Sequence, residues 1–157
     1  MIEGNEYDVA DMISAKLAIE IPVSFPEETI GNQNEVHIAD LINYFLYAEV
    51  LDEITICWKL PSVLIVSLSR KFKGGVRNYT KPVLTNDLTL REHATETDVD
   101  YLLVGAHKYV PGHYFAYVRR DRDFYEANDS QITKLSSEEA FYEAAETCTG
   151  YVFERIP

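Results

Sequence analysis

The stretch that most constrains the fold of this chain is residues 111–133, with the sequence PGHYFAYVRRDRDFYEANDSQIT. It predicts two antiparallel β-strands joined by the charged turn at residues 120–123. A hairpin returns the chain to where it began, so His113 at the start of the first strand should lie close to Asn128 and Asp129, just past the second. A histidine beside an Asn or Asp that fixes its tautomer is half of a nucleophilic catalytic site.

Composition narrows the classes of protein to which the chain can belong. Its 157 residues suffice for one domain with a core, and 46% hydrophobic residues argue against disorder. A net charge of −12 makes nucleic acid an unexpected partner, although acidity can also serve solubility alone. Cys57 and Cys148 form no CxxC pair or Cys/His cluster, so no metal and no cofactor are expected. Without a signal peptide or a long apolar run, the chain is predicted to be intracellular, cytoplasmic or nuclear, with no membrane partner.

Periodicity predicts two main helices. The first covers residues 36–51, where apolar residues recur at helical spacing. The second covers residues 136–146, with Ser136 as the N-cap and Glu139 completing a capping box. The pattern also allows a short helix around residues 9–17.

The remaining pattern predicts an antiparallel sheet of about six strands, so the fold class is α+β. An edge strand containing Pro22 is expected at residues 18–23. Residues 95–100 and 107–111 are expected to be loops. The main strands are predicted at residues 60–70, 100–107, 112–119, 123–127 and 151–156.

Four motifs carry a resemblance to a known family. The sequences GHYFAYVR at 112–119, FYEANDS at 124–130 and YVF at 151–153 are similar in order and spacing to the His box and closing strands of ubiquitin-specific proteases. The sequence LPSVLIVSLSR at 60–70 resembles a further strand of these papain-like cysteine deubiquitinases. The resemblance implies their palm subdomain, with the thumb and zinc fingers missing or reduced. It covers residues 18–157 of a single domain, and residues 1–17 would be an N-terminal extension.

The resemblance also implies roles for six residues. His113 would be the general base, Asn128 would orient its imidazole, and Asp129 would support that role or the oxyanion site. Substrate-binding positions would be Gly112, Tyr114 and His107. The substrate would be ubiquitin or a ubiquitinated protein, cut at the (iso)peptide bond after the C-terminal glycine of ubiquitin.

The nucleophile of such a site is missing from the sequence. The family places its cysteine in a Gly-x-x-Asn-x-Gly-Asn-x-Cys-Tyr box, which this chain lacks. Cys57 lies among apolar residues and is predicted to be a core residue. Cys148 follows the His box, which is the wrong topological place.

Three hypotheses therefore remain open. The chain is part of an active deubiquitinase whose cysteine is on a missing segment or partner chain, or it is an inactive ubiquitin-binding or scaffolding subunit. The third alternative is an unrelated α+β domain with accidental similarity. A missing thumb would leave an apolar face of the sheet exposed, so another protein chain is expected to cover that face.

Overall fold

The structure of the chain is a computed structural model, and it describes residues 18–24, 35–47, 49–50, 53–54, 59–70, 80–84, 88–92 and 94–157. The predictions for the helix at 9–17 and for Cys57 lie outside these residues. The strands are β1 (Ala18–Ser24), β2 (Glu49–Val50), β3 (Glu53–Ile54), β4 (Val63–Ser69), β5 (Leu88–Glu92), β6 (Thr97–Val110), β7 (His113–Arg120), β8 (Asp123–Asn128), β9 (Gln131–Lys134) and β10 (Gly150–Arg155). The helices are α1 (Ile38–Tyr47) and α2 (Glu138–Ala145).

Eight of the described strands form one sheet. Its order is β1-β4-β10-β6-β7-β8-β9, and β5 pairs with the first part of β6. All pairs are antiparallel except β1 with β4. The short strands β2 and β3 form a separate two-stranded sheet. The predicted α+β fold class is confirmed, with two more strands in the sheet than the six expected.

One face of the sheet carries the core. Alternate residues of β4, β6 and β10 are buried there because neighbouring strands place their inward residues side by side. Both helices add side chains to the same core, α1 with Ile38 and Ile42 and α2 with Phe141 and Ala145. The largest fully buried side chains are Tyr101, Tyr151, Phe141, Phe153, Ile38, Ile42, Leu64, Leu88, Leu90 and Leu103.

The opposite face of the sheet exposes large apolar side chains. Tyr109, Tyr114, Val118 and Ile132 are exposed to 51%, 68%, 42% and 74%, and the strand register places them on this side. We call these four residues the open face. The rings of Tyr109 and Tyr114 pack together with their centroids 4.6 Å apart.

Arg70 fixes the start of β10 relative to the end of α2. Its guanidinium is buried and donates hydrogen bonds to the carbonyl oxygens of Cys148, Glu146 and Thr80. Arg is suited to this place because its planar group carries five donors in a fixed geometry. The segment between α2 and β10 is therefore held at the end of β4, from which Arg70 extends.

Several sequence predictions differ from the structure in their boundaries. Residues 97–100, predicted as a loop, begin β6, since Val99 points into the core while the acidic residues beside it stay exposed. Residues 107–110, also predicted as a loop, continue the same strand. The first helix ends at Tyr47 rather than residue 51, because Glu49–Val50 pairs with β3.

The N-cap prediction for the second helix is wrong by one residue. Ser137, not Ser136, has the extended backbone of an N-cap, and its hydroxyl accepts a hydrogen bond from the N–H of Ala140. Glu139 therefore lies within the first turn and does not complete a capping box. Glu138 and Glu139 both lie in the first turn, where their negative charges interact favourably with the positive end of the helix dipole. No helix among the described residues is long and apolar enough to cross a membrane.

Candidate functional site

Two tight turns bring the candidate site together at one end of the sheet. Pro111 and Gly112 join β6 to β7, and Gly112 has φ of +85°, which a type II turn requires at that position. Asp129 and Ser130 join β8 to β9, and Asp129 has φ of +53°. His113 is the first residue of β7, next to the end of β8, so the two turns meet around its ring.

His113 and Asp129 are in direct contact. The imidazole Nδ1 lies 3.1 Å from Oδ2 of Asp129, and the two side chains are 54% and 62% exposed. When Nδ1–H donates to the carboxylate, Nε2 carries the lone pair and can take a proton. The arrangement can therefore work as a general base whose tautomer is set by an acid, at a position that solvent and a substrate can reach.

Asn128 makes a different contribution from its neighbour. As the last residue of β8 it pairs with Phe115 and Gln131. Its Oδ1 is buried and has no hydrogen-bond partner among the described residues. In the structure it is thus Asp129 that contacts the imidazole, and the predicted orienting role of Asn128 stays a prediction.

The residues predicted to bind substrate lie beside this pair. His107 and Tyr114 line an open depression of about 330 Å³, together with Asp129. His107 stands over Gly150 of the neighbouring strand, where a Cβ would overlap its ring. Gly112 lies in the turn that precedes His113, so all six predicted residues lie at the same end of the sheet or next to it.

Three further residues of the depression were missed by sequence reasoning. Phe115, Ala116 and Ala127 complete its lining. Ala116 pairs with both His107 and Ala127. The small side chains of Ala116 and Ala127 leave the space that the depression occupies. Once the strand register is known, the alternation of residues along β7 would have indicated Ala116.

No described cysteine can serve as the nucleophile. Cys148 is fully buried, and its Sγ lies 3.6 Å from the carbonyl oxygen of Ala144. Burial raises the pKa of its thiol to about 12, although Lys108 and Arg70 favour the charged form. A thiol with that pKa is protonated at neutral pH and unreactive. Among the described residues, no group of three or more His, Cys, Asp or Glu side chains is placed to hold a metal ion.

Comparison with solved structures identifies proteins of similar fold. No family model and no curated protein matches the chain. The structure resembles a chain of the Ubp8–Sgf11–Sgf73–Sus1 SAGA DUB module, with a TM-score of 0.62 and 20% identity over 88% of this chain. It also resembles the Saccharomyces cerevisiae PAN2 pseudoubiquitin-hydrolase, with a TM-score of 0.52 and 16% identity over 86%. A Pan2 module containing the pseudoubiquitin hydrolase and an RNA exonuclease, in complex with AAUUAA RNA, gives 0.54 and 16% over 86%.

These identities are low enough that the likeness concerns the fold alone. The chain spans 34%, 49% and 28% of the three solved chains. It therefore has the ubiquitin-specific-protease-like fold that the motifs implied.

Proposed function

We propose that this chain carries the general-base half of a cysteine-type deubiquitinase. Its nucleophilic cysteine would be supplied by a missing segment or by a partner chain. The contact between His113 Nδ1 and Asp129 Oδ2 at 3.1 Å, on a fold like that of the SAGA DUB module, is the observation that carries the proposal. The reaction is hydrolysis of the (iso)peptide bond after the C-terminal glycine of ubiquitin, in an intracellular compartment.

The proton transfers follow from the lone pair on Nε2. His113 takes the proton of the incoming cysteine thiol, and the thiolate attacks the carbonyl carbon of the glycine. The resulting imidazolium then gives that proton to the leaving amine as the acyl-enzyme forms. In the second half, His113 takes a proton from water, which attacks the thioester, and returns it to the cysteine sulfur. The carboxylate of Asp129 stabilises the imidazolium in both halves.

The surroundings of the pair suit a protein substrate. His107 and Tyr114 border the open depression next to Asp129, and Gly112 leaves space before His113. The net charge of −12 favours a basic segment, and the C-terminal tail of ubiquitin is basic. Asp129 both borders the depression and contacts the His113 ring, so the depression is the surface proposed for the ubiquitin tail.

A second candidate function is an inactive ubiquitin-binding or scaffolding subunit. The burial of Cys148 and its raised pKa favour this alternative for the isolated chain, because that thiol cannot act as a nucleophile. The chain also resembles in fold a protein described as a pseudoubiquitin-hydrolase, PAN2, and this resemblance is consistent with the scaffolding alternative. Both candidates place ubiquitin at the same end of the sheet.

The test uses ubiquitin with a C-terminal electrophile together with a hydrolysis assay. The chain alone should bind ubiquitin without being labelled, and a co-purifying chain with a Cys box should restore hydrolysis. In that complex His113→Ala should lower kcat/KM by about 10³-fold or more, whereas His37→Ala, outside the site, should leave it unchanged. Labelling of Cys148 or full activity of His113→Ala would contradict the catalytic proposal. Ubiquitin binding without any restorable hydrolysis would support the scaffolding alternative.

A further inference from the structure

The outermost strand of the sheet, β9, is open to pairing along one side. All four of its residues are exposed, and among the described strands only β8 pairs with it. Natural edge strands are usually protected by being very short, by proline, by a bulge or by charged side chains. β9 has four residues, no proline and no bulge, and its one charge, Lys134, lies with its Nζ 3.2 Å from Oδ1 of Asp123.

The ladder alternation shows which backbone groups point outward. The N–H of Leu135 donates to the carbonyl oxygen of Phe124 in β8 at 2.7 Å. Phe124 and Leu135 therefore form a hydrogen-bonded pair, and the N–H of Leu135 points towards β8. Because hydrogen-bonded and non-hydrogen-bonded pairs alternate in an antiparallel ladder, Thr133 also bonds towards β8. The N–H and C=O groups of Ile132 and Lys134 therefore point away from the sheet, where a further strand would meet them.

The two sides of this edge differ in chemistry. Ile132 belongs to the open face, is 74% exposed and lies beside Ala127 of β8. Thr133 lies on the other side of the sheet, opposite Glu126. Glu126 is the acidic side chain that the register places next to β9 on that side. An added strand would thus find the apolar Ile132 on one face and the side bearing Glu126 on the other.

We propose that β9 is the docking edge for an extended segment of a partner protein, which adds to the sheet by β-augmentation. The segment places an apolar residue opposite Ile132 and Lys or Arg at the adjacent positions, which face Thr133 and Glu126. Backbone hydrogen bonds from Ile132 and Lys134 give the affinity, and the alternation of apolar and basic residues gives the specificity. This docking edge begins two residues after Asp129 but includes neither His113 nor Asp129, and it does not depend on hydrolysis of ubiquitin.

The first experiment needs no variant. The probe is the peptide acetyl-Lys-Val-Lys-Val-Lys-Val-amide, and the control is a peptide of the same composition with three Lys followed by three Val. Amide hydrogen exchange by NMR should show about tenfold greater protection of the Ile132 and Lys134 amides with the alternating peptide. The amides of Gln131 and Thr133, which point towards β8, should change far less. Added salt should weaken binding because the basic residues face the side bearing Glu126 on a chain with a net charge of −12.

A matched pair of variants isolates the backbone contribution. Lys134→Ala and Lys134→Pro both remove the side chain, but only the second removes the outward N–H. Proline is tolerated on an edge strand where the N–H faces solvent, and Thr133 before it is already extended. Lys134→Pro should bind the alternating peptide about fivefold or more weakly than Lys134→Ala. The two variants should have similar thermal unfolding.

Three results would overturn the proposal. The first is equal affinity of the two peptides, and the second is an absence of new protection at Ile132 and Lys134 in the native chain. The third is self-association of the native chain through β9, detected by sedimentation and abolished by Lys134→Pro. In that case β9 pairs with a second copy of the chain and not with a partner protein. The exchange measurement decides the case even if Lys134→Pro does not fold.

Discussion

At the scale of single residues, the chemistry of this chain depends on which nitrogen of His113 carries the proton. The carboxylate of Asp129 is an acceptor only, so its contact with Nδ1 selects the tautomer in which Nε2 is free to accept a proton. Asp129, which has a positive φ in the turn after β8, contacts the ring, whereas Oδ1 of its neighbour Asn128 is buried without a hydrogen-bond partner among the described residues. Of these two adjacent polar side chains, Asp129 is thus the one that reaches the ring.

Replacing Asp129 by alanine should therefore change the tautomer of His113. Without the carboxylate, Nδ1 loses its acceptor, and the neutral ring should shift from the Nδ1–H form towards the Nε2–H form. The measurement is the pair of ¹⁵N chemical shifts of the His113 ring by NMR at a pH where the ring is neutral.

Asp121→Ala is a matched control for this change. Asp121 also has a positive φ, of +56°, and lies in the turn at the opposite end of β7, so alanine meets the same backbone strain there. It should leave the His113 shifts unchanged. Identical ring shifts in the native chain and in Asp129→Ala would show that Asp129 does not set the tautomer.

At the scale of secondary-structure elements, strand segments with few or no buried residues were harder to predict than helices. The periodicity of residues 36–51 predicted α1, which the structure has at Ile38–Tyr47, and hairpin closure predicted the approach of His113 to Asp129. β9 was missed because all four of its residues are exposed, so no apolar alternation marks it. Residues 97–100 resembled a loop because only Val99 points inward, and its burial depends on pairing with β5. Strand register and backbone φ depend on tertiary contacts. The local pattern of apolar and polar residues does not contain this information, so it could not predict them.

The position of the N-cap gives a prediction for α2. Ser137→Ala should lower the free energy of unfolding by about 1 kcal/mol, because the N–H of Ala140 loses its acceptor at the helix start. Ser136→Ala removes the same atom one residue earlier and should change the stability by less than about 0.5 kcal/mol. Urea denaturation of both variants compares them directly. A larger loss of stability in Ser136→Ala than in Ser137→Ala would show that Ser136 is the N-cap, as the sequence predicted.

At the scale of the whole molecule, one buried carboxylate ties together parts that are distant in sequence. Glu92 at the end of β5 is only 2% exposed, and its side chain accepts a hydrogen bond from the N–H of Leu60 at 2.7 Å. The Thr95 hydroxyl donates to it at 3.0 Å, and Nη1 of Arg155, at the end of β10, lies 3.2 Å away. The segment before β4, the β5–β6 connection and the last strand all meet at this group.

The pH dependence of stability should report on this carboxylate. Burial raises the pKa of Glu92, but the hydrogen bonds from Leu60 and Thr95 and the charge of Arg155 together hold it below the ordinary value of 4.5. The unfolded chain therefore takes up a proton here at a higher pH than the folded chain does. The stabilisation is fully present above the unfolded pKa and is lost as the pH falls through the lower folded pKa.

Glu92→Gln should consequently flatten the acid side of the stability curve. At neutral pH the variant should be less stable by about 2 kcal/mol, because Arg155 loses a charged acceptor. Between about pH 6 and 3 its free energy of unfolding should fall less steeply than that of the native chain. Glu96→Gln, at an exposed carboxylate in the neighbouring turn, should keep the native slope. Urea denaturation across this range makes the comparison, and equal slopes for Glu92→Gln and the native chain would assign the acid sensitivity to other carboxylates.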